Sequence, residues 1–153
     1  MLHRLVRITS NDYREYRRAY TRIEYSFFEK GKADPFNSDE MKEMMKEGIK
    51  GKGEFLDFVE NPKNELYFFE VDNEIQGITV LTFSQNSCII DQFSVFEKGK
   101  GLGTILYNEV LKIIKQHKCK RIELWCPFVG AQIFWRKKGF SLKTKDGFFG
   151  KRV

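Results

Sequence analysis

Glu97-Lys98-Gly99-Lys100-Gly101-Leu102-Gly103-Thr104 joins a β-rich run, Ser87 to Val95, to a strongly helical one, Leu102 to Gln116. Three glycines at alternate positions where a strand feeds a helix predict a cradle for phosphate. Glycine lets the backbone approach a ligand, and the first helix amides are unpaired at the positive end of the helix dipole. Lys98 and Lys100 add positive charge. Two other phosphate loops are excluded by spacing. The dinucleotide fingerprint needs G-x-G-x-x-G, whereas this loop reads G-x-G-x-G, and the next strand closes on Leu124-Trp125-Cys126 without an acid. The nucleotide loop G-x-x-x-x-G-K-[ST] occurs neither here nor around Gly48, Gly51 and Gly53.

Working outward, Leu102, Ile105, Leu106, Val110, Leu111 and Ile114 form one apolar helix face. Arg121 to Cys126 returns as a strand, so Ser87–Val95, the helix and this strand form a right-handed parallel unit. Upstream, Leu66 to Val71 and Ile75 to Phe83 flank Asp72-Asn73-Glu74 as an antiparallel hairpin, with Gly77 interrupting its second strand. His3 to Thr9 reads as a first strand, and Ser10 or Asn11 offers an N-cap. Tyr13, Tyr16, Tyr20, Ile23 and Phe27 mark an amphipathic helix. A second helix is expected from Ser38 to Gly48, after a loop over Lys30 to Asn37, and a helical turn over Phe55 to Val59. Downstream, Val129 to Lys138 reads as a helix ended by Gly139. Phe140 to Lys145 and Phe148 to Val153 flank the hairpin signal Asp146-Gly147.

The 153 residues suit a single domain, 1–153, and 41% hydrophobic content with 15 phenylalanines argues for a folded core. Cys88, Cys119 and Cys126 are odd in number, lack C-x-x-C spacing and follow no leader, so reduced thiols in a cytoplasm are expected. His3 and His117 have no clustered partners, and no metal site is expected. No apolar run reaches the roughly 18 residues of a membrane span. The net charge of +6 is compatible with nucleic acid, an anionic surface or a polyanionic cofactor. Its basic groups, Arg14, Arg17, Arg18 and Arg22, then Lys98 and Lys100, then Arg136 to Lys138, read as solvated faces, which disfavours nucleic acid.

Lys98-Gly99-Lys100-Gly101-Leu102-Gly103 resembles the (Gln/Arg)-x-x-Gly-x-(Gly/Ala) pyrophosphate loop of the GCN5-related N-acetyltransferases, with lysine in the first place. Ala131-Gln132-Ile133-Phe134-Trp135-Arg136-Lys137-Lys138-Gly139-Phe140 is similar to that family's Ala-x-x-(Leu/Phe)-Tyr-x-Lys-x-Gly-Phe helix, and the interval between the two motifs fits. Gly77 matches a glycine these enzymes often carry in their third strand. The resemblance implies a GNAT-like α/β (α+β) fold: a mixed, mostly antiparallel sheet of six to seven strands flanked by helices, with a central parallel pair splayed to bind acetyl-CoA. It implies transfer of an acetyl group to a primary amine of a small molecule, peptide or protein. Cofactor contacts are then expected from Phe93, Ser94 and Val95 on the strand, from Lys98, Gly99, Lys100, Gly101, Leu102, Gly103 and Thr104 in the loop, and from Phe134, Trp135 and Lys137 on the last helix.

Such chemistry needs a deprotonated amine and a polarised thioester carbonyl. A backbone N–H of Phe93 to Val95 would serve the second need, and Asp91 or Glu123 the first. Asp91 lies in the apolar run Ile89-Ile90-Asp91-Gln92-Phe93, where burial would make it a better base. Trp135 stands where the family carries a tyrosine acid, and Phe128 where an asparagine often precedes the helix. With Phe93 as the end of the family's fourth strand the interval to Lys98 fits; with Val95 it is two residues short. Glu24, Asp57 and Glu60 would attract a cationic acceptor. The competing readings are an acyl-CoA-binding module with weak chemistry, suggested by Trp135, and a basic nucleic-acid-binding domain. The aromatic C-terminal hairpin offers a surface for a homodimer.

Overall fold

Alternation of apolar residues with period two and then period 3.6 sets the centre of the molecule. The computed structural model describes residues 1–30 and 51–153, the side chains of 24–30 excepted. The helix expected from Ser38, the loop before it and the Phe27 side chain lie outside the described residues. At the centre, β4 (Ser87–Val95) leads through the glycine loop into α3 (Leu102–Gln116), and β5 (Arg121–Trp125) follows. Leu106, Val110 and Ile114 of α3 are fully buried, each worth roughly 1.5–3 kcal/mol of apolar transfer.

Before this unit come β1 (His3–Arg7), a short 3-10 turn (Ser10–Asp12), α1 (Tyr13–Lys30), α2 (Lys52–Glu60), β2 (Asn64–Val71) and β3 (Glu74–Ser84). After it come α4 (Val129–Lys137), β6 (Ser141–Leu142) and β7 (Phe148–Arg152). The seven strands form one sheet in the order β1-β2-β3-β4-β5-β7-β6, parallel only between β4 and β5. This is the mixed, mostly antiparallel architecture the resemblance implied. Helices α3 and α4 cover one face with Phe69, Leu81, Ile90, Ile122, Leu124 and Phe149. Tyr16, Ala19 and Phe55 of α1 and α2 cover the other over Leu66, Phe68, Ile78 and Val80.

Several local expectations are revised. Neither Ser10 nor Asn11 caps the first helix: Thr9 forms a capping box with Asp12, and the 3-10 turn intervenes. The β2–β3 turn is only Asp72-Asn73, both at positive φ (51° and 68°), while Glu74 pairs with Val71. The C-terminal hairpin is shorter than expected on one side. The ladder with β7 holds Ser141 and Leu142, with one further backbone bond from Lys143 N–H to the Phe148 carbonyl at 2.7 Å, and Phe140 turns inward to the core, its N–H bonding the Trp135 carbonyl at 3.1 Å.

Candidate functional site

The parallel pairing of β4 and β5 runs from Ser87↔Arg121 to Ile90↔Leu124 and stops, while β4 continues to Val95. Asp91 to Val95 therefore keep β3 on one side and lose their strand on the other. A bulge marks the fork. Val80 pairs with Gln92 and Leu81 with Ile90, so Asp91 is the extra residue. The Thr79 side chain, fully buried, donates to the Gln92 carbonyl at 2.9 Å and pins the bulge from β3. Gly77 lies opposite Val95, where a Cβ would stand 2.4 Å from the Ser94 carbonyl oxygen. Only glycine allows β3 to stay this close to the open part of β4.

The loop beyond is shaped by backbone. Gly99 and Gly101 adopt φ of +81° and +76°, and no atom lies within 4 Å of where their side chains would be. Gly101 is the N-cap of α3 and offers no side chain to its amides. The first helical bond comes from Ile105 to the Gly101 carbonyl, 3.3 Å, leaving the N–H groups of Leu102, Gly103 and Thr104 outside the helix's own ladder. An open concavity of unpaired amides at a helix N-terminus fits a diphosphate. Lys98 is exposed and has no ion pair among the described residues, but Lys100 is tied to Glu97. The charge expected from both lysines thus falls mainly to Lys98.

A cation from another element joins it. Lys138 reaches the first turn of α3, its Nζ 3.0 Å from Thr104 Oγ1 and 5.3 Å from the Phe134 ring centre. Phe134 lies against Gly103, 3.4 Å from the place a Cβ would take. Lys137, expected to contact the cofactor, is exposed; Lys138 follows Phe134 by four residues and so shares its helix face. Trp135 is 5% exposed and packs edge-on against Phe93, Tyr107, Phe134 and Phe140, with centroids 4.9 to 6.0 Å away. Its indole belongs to the core, where half-buried Phe93 of β4 packs against it.

The two candidate carboxylates share the face of α1 and α2. Asp91 accepts a hydrogen bond from Thr82 Oγ1, which also bonds Asn64 Oδ1 at 3.0 Å. Asp91 is exposed, not buried as its apolar neighbours suggested, because the bulge turns it out at the fork. Glu123 stands beside Ile89 in the register and 3.6 Å from Arg121. Near them Trp125 is 57% exposed and Phe148, its cross-strand partner, 48%. Asp57 and Glu60 on α2 are exposed, and the side chain of Glu24 lies outside the described residues.

Burial pushes Cys88, Cys119 and Cys126 above the usual thiol range. Among the described residues no three His, Cys, Asp or Glu side chains form a metal-binding group, and no helix is long and apolar enough to cross a membrane.

The family model described as Acetyltransferase (GNAT) family matches residues 13–140. No curated protein matches the sequence. Among solved structures, the chain is similar to PaiA N-acetyltransferase from Thermoplasma acidophilum in complex with coenzyme A, with a TM-score of 0.81, 16% identity and full coverage of both chains. A probable acetyltransferase from Staphylococcus epidermidis aligns at a TM-score of 0.73 and 12% identity over 99% of each chain. A GNAT family acetyltransferase from Elizabethkingia anophelis with acetyl-CoA bound aligns at 0.57 and 18% identity, over 67% of this chain and 84% of that one.

Proposed function

The chain belongs to the GNAT acetyltransferase family, and on that premise we propose that it transfers the acetyl group of acetyl-CoA to a primary amine carried by a molecule with an apolar body. The observation that carries this reading is the fork. Pairing of β4 with β5 ends at Ile90↔Leu124, the freed edge of β4 leads to the glycine loop, and Asp91 stands where the strands part. An extended, amide-rich arm pairs with such an edge as an added strand. The loop amides from Gly99 to Thr104, with Lys98 and Lys138, hold the diphosphate end. The solved complexes of similar fold with coenzyme A and acetyl-CoA support this placement.

Bound acetyl-CoA supplies an activated acetyl thioester. Asp91 accepts, directly or through water, the proton that the acceptor's ammonium loses before its nitrogen attacks. Thr82 orients the Asp91 carboxylate from β3. Amides of Phe93 to Val95 that face away from β3 donate to the developing oxyanion. Trp135 cannot act as an acid; the sulfur, with a thiol reference pKa of about 8.5, leaves as thiolate, and the second proton that the nitrogen sheds as the amide forms passes to that thiolate through water. Trp125, Phe148 and Ile89 beside Asp91 give the acceptor side an apolar wall, which favours an aliphatic or aromatic amine over a polyhydroxylated one.

Titration calorimetry with acetyl-CoA, with NADH as the control ligand, tests the cofactor site, and thiol release over a panel of amines tests the chemistry. Saturable micromolar binding of acetyl-CoA alone, followed by amine-dependent thiol release, is expected. No binding overturns the assignment of the loop. Binding without thiol release for any amine leaves the second reading, a CoA-binding module, which the burial of Trp135 at the tyrosine position favours.

A further inference from the structure

At the end of the sheet away from the fork, a cavity of about 320 Å³ is lined by Arg121, Gly139, Ser141, Lys143, Gly150, Lys151 and Arg152. Arg121 opens β5, four residues and about 13 Å of strand before Trp125, so the β5 wall of this cavity lies at the opposite end of that strand from the fork. Four basic residues line it, of which Lys151, opposite Ile122 in the register, sends its ammonium to the α3 face, leaving Arg121, Lys143 and Arg152 as its cations. Arg121 and Arg152 are directly opposite in the β5–β7 register, an arrangement in which like charges destabilise a sheet. Glu123, 3.6 Å from Arg121, offsets only one of them, and no described carboxylate pairs with Arg152 or Lys143.

The cavity is also shaped to hold its cations. A Cβ on Gly150 would stand 3.0 Å from Lys143 Cε, so the bare glycine lets the Lys143 stem lie across β7. Lys151 is fixed at the rear by Tyr107 Oη at 3.1 Å and the Lys138 carbonyl at 2.8 Å. Pairing of β6 with β7 ends at Ser141↔Gly150, and this notch opens the cavity at the sheet edge. We propose that Arg121, Lys143 and Arg152, with the Ser141 hydroxyl, form a binding site for a small polyphosphate anion, distinct from the acetyl-CoA site. Two guanidinium groups side by side suit bidentate contact with phosphate oxygens, and three cations against one carboxylate suit a ligand of several negative charges. The volume, at the lower end of ordinary ligand pockets, admits a triphosphate group.

Thermal unfolding and calorimetry with inorganic tripolyphosphate, in the presence of saturating CoA, test this. Expected is saturable binding, with Tm raised by about 5 °C or more at a hundredfold excess over Kd. Arg121→Gln/Arg152→Gln weakens it at least tenfold, while Lys98→Gln in the glycine loop leaves it unchanged. In phosphate-free buffer Arg152→Gln unfolds no lower than the parent, since it relieves a like-charge pair. Should that variant prove less stable, Lys143→Gln, on an exposed side chain, repeats the binding test. ATP in place of tripolyphosphate distinguishes a nucleotide from a bare polyphosphate: equal affinity means that only the phosphates are read. Absence of saturable binding with CoA present, or binding unaffected by the Arg121/Arg152 and Lys143 substitutions, overturns the proposal.

Discussion

The two halves of β4 share one strand and differ in everything else. Ser87 to Ile90 have β3 on one side and β5 on the other, and Cys88 and Ile90 are buried under α3. Asp91 to Val95 have β3 alone, begin with a bulge and are exposed or half-buried. The closed half is further locked at its end of the sheet by a buried carboxylate. Glu65, in β2, accepts from Tyr67 Oη at 2.5 Å and lies 3.2 Å from Arg7 and 2.7 Å from His117, whose ring stacks on Phe83 with centroids 3.8 Å apart. Saturated hydrogen bonding there makes a rigid base, and the unsaturated edge above it gains a defined direction in which to offer its free amides. One strand can thus be scaffold and site, because its pairing partner diverges partway along.

The comparison breaks most visibly at the fork. Asp91→Asn is expected to lower turnover by about 100-fold or more while acetyl-CoA affinity stays as it was, read from steady-state kinetics and calorimetry. An unchanged turnover would pass the role of base to Glu123. One residue earlier, Ile90→Ala acts on the closed half and is expected to cost about 2–5 kcal/mol in denaturant unfolding, with KM for acetyl-CoA unaltered. A raised KM would mean that the halves are energetically coupled.

Gly101→Ala places a side chain at φ +76° in open space, so its cost is purely backbone, about 1–2 kcal/mol. Strain in the loop is expected to lower Tm by about 2–8 °C and to weaken acetyl-CoA roughly tenfold. The smallest effect sharpens the contrast from the rigid end. Burial, followed by the hydrogen bond to Glu65, pushes Tyr67 up to about 12. The folded protein then holds that proton more tightly than the unfolded chain, whose tyrosine titrates near 10. Its contribution is present below pH 10 and is lost as pH rises towards 12. Unfolding stability should decline over that window, and less steeply in Tyr67→Phe.

The elements that frame the candidate site were legible in the sequence because they are local. The bounds of β4 and α3 coincide with the readings Ser87–Val95 and Leu102–Gln116, since alternation and helical periodicity are carried by consecutive residues. The glycine loop was legible because positive φ and strand-to-helix geometry leave a mark in composition. Thr82, Lys138 and the exposure of Asp91 were not, because each depends on what a second element places opposite. Tyr107 was likewise missed as core, although α3 buries it against Trp135.

The sequence by itself therefore determined the elements, their order, the glycine loop and the family. Tertiary structure alone decided which residue is bulged, that β7 inserts between β5 and β6, that Trp135 faces the core, and that Arg121 meets Arg152. The physical reason is that dihedral preference and periodicity are properties of neighbours along the chain, whereas a bulge, a strand's missing partner and a like-charge pair are properties of register. Register is set by how the whole sheet pairs and packs.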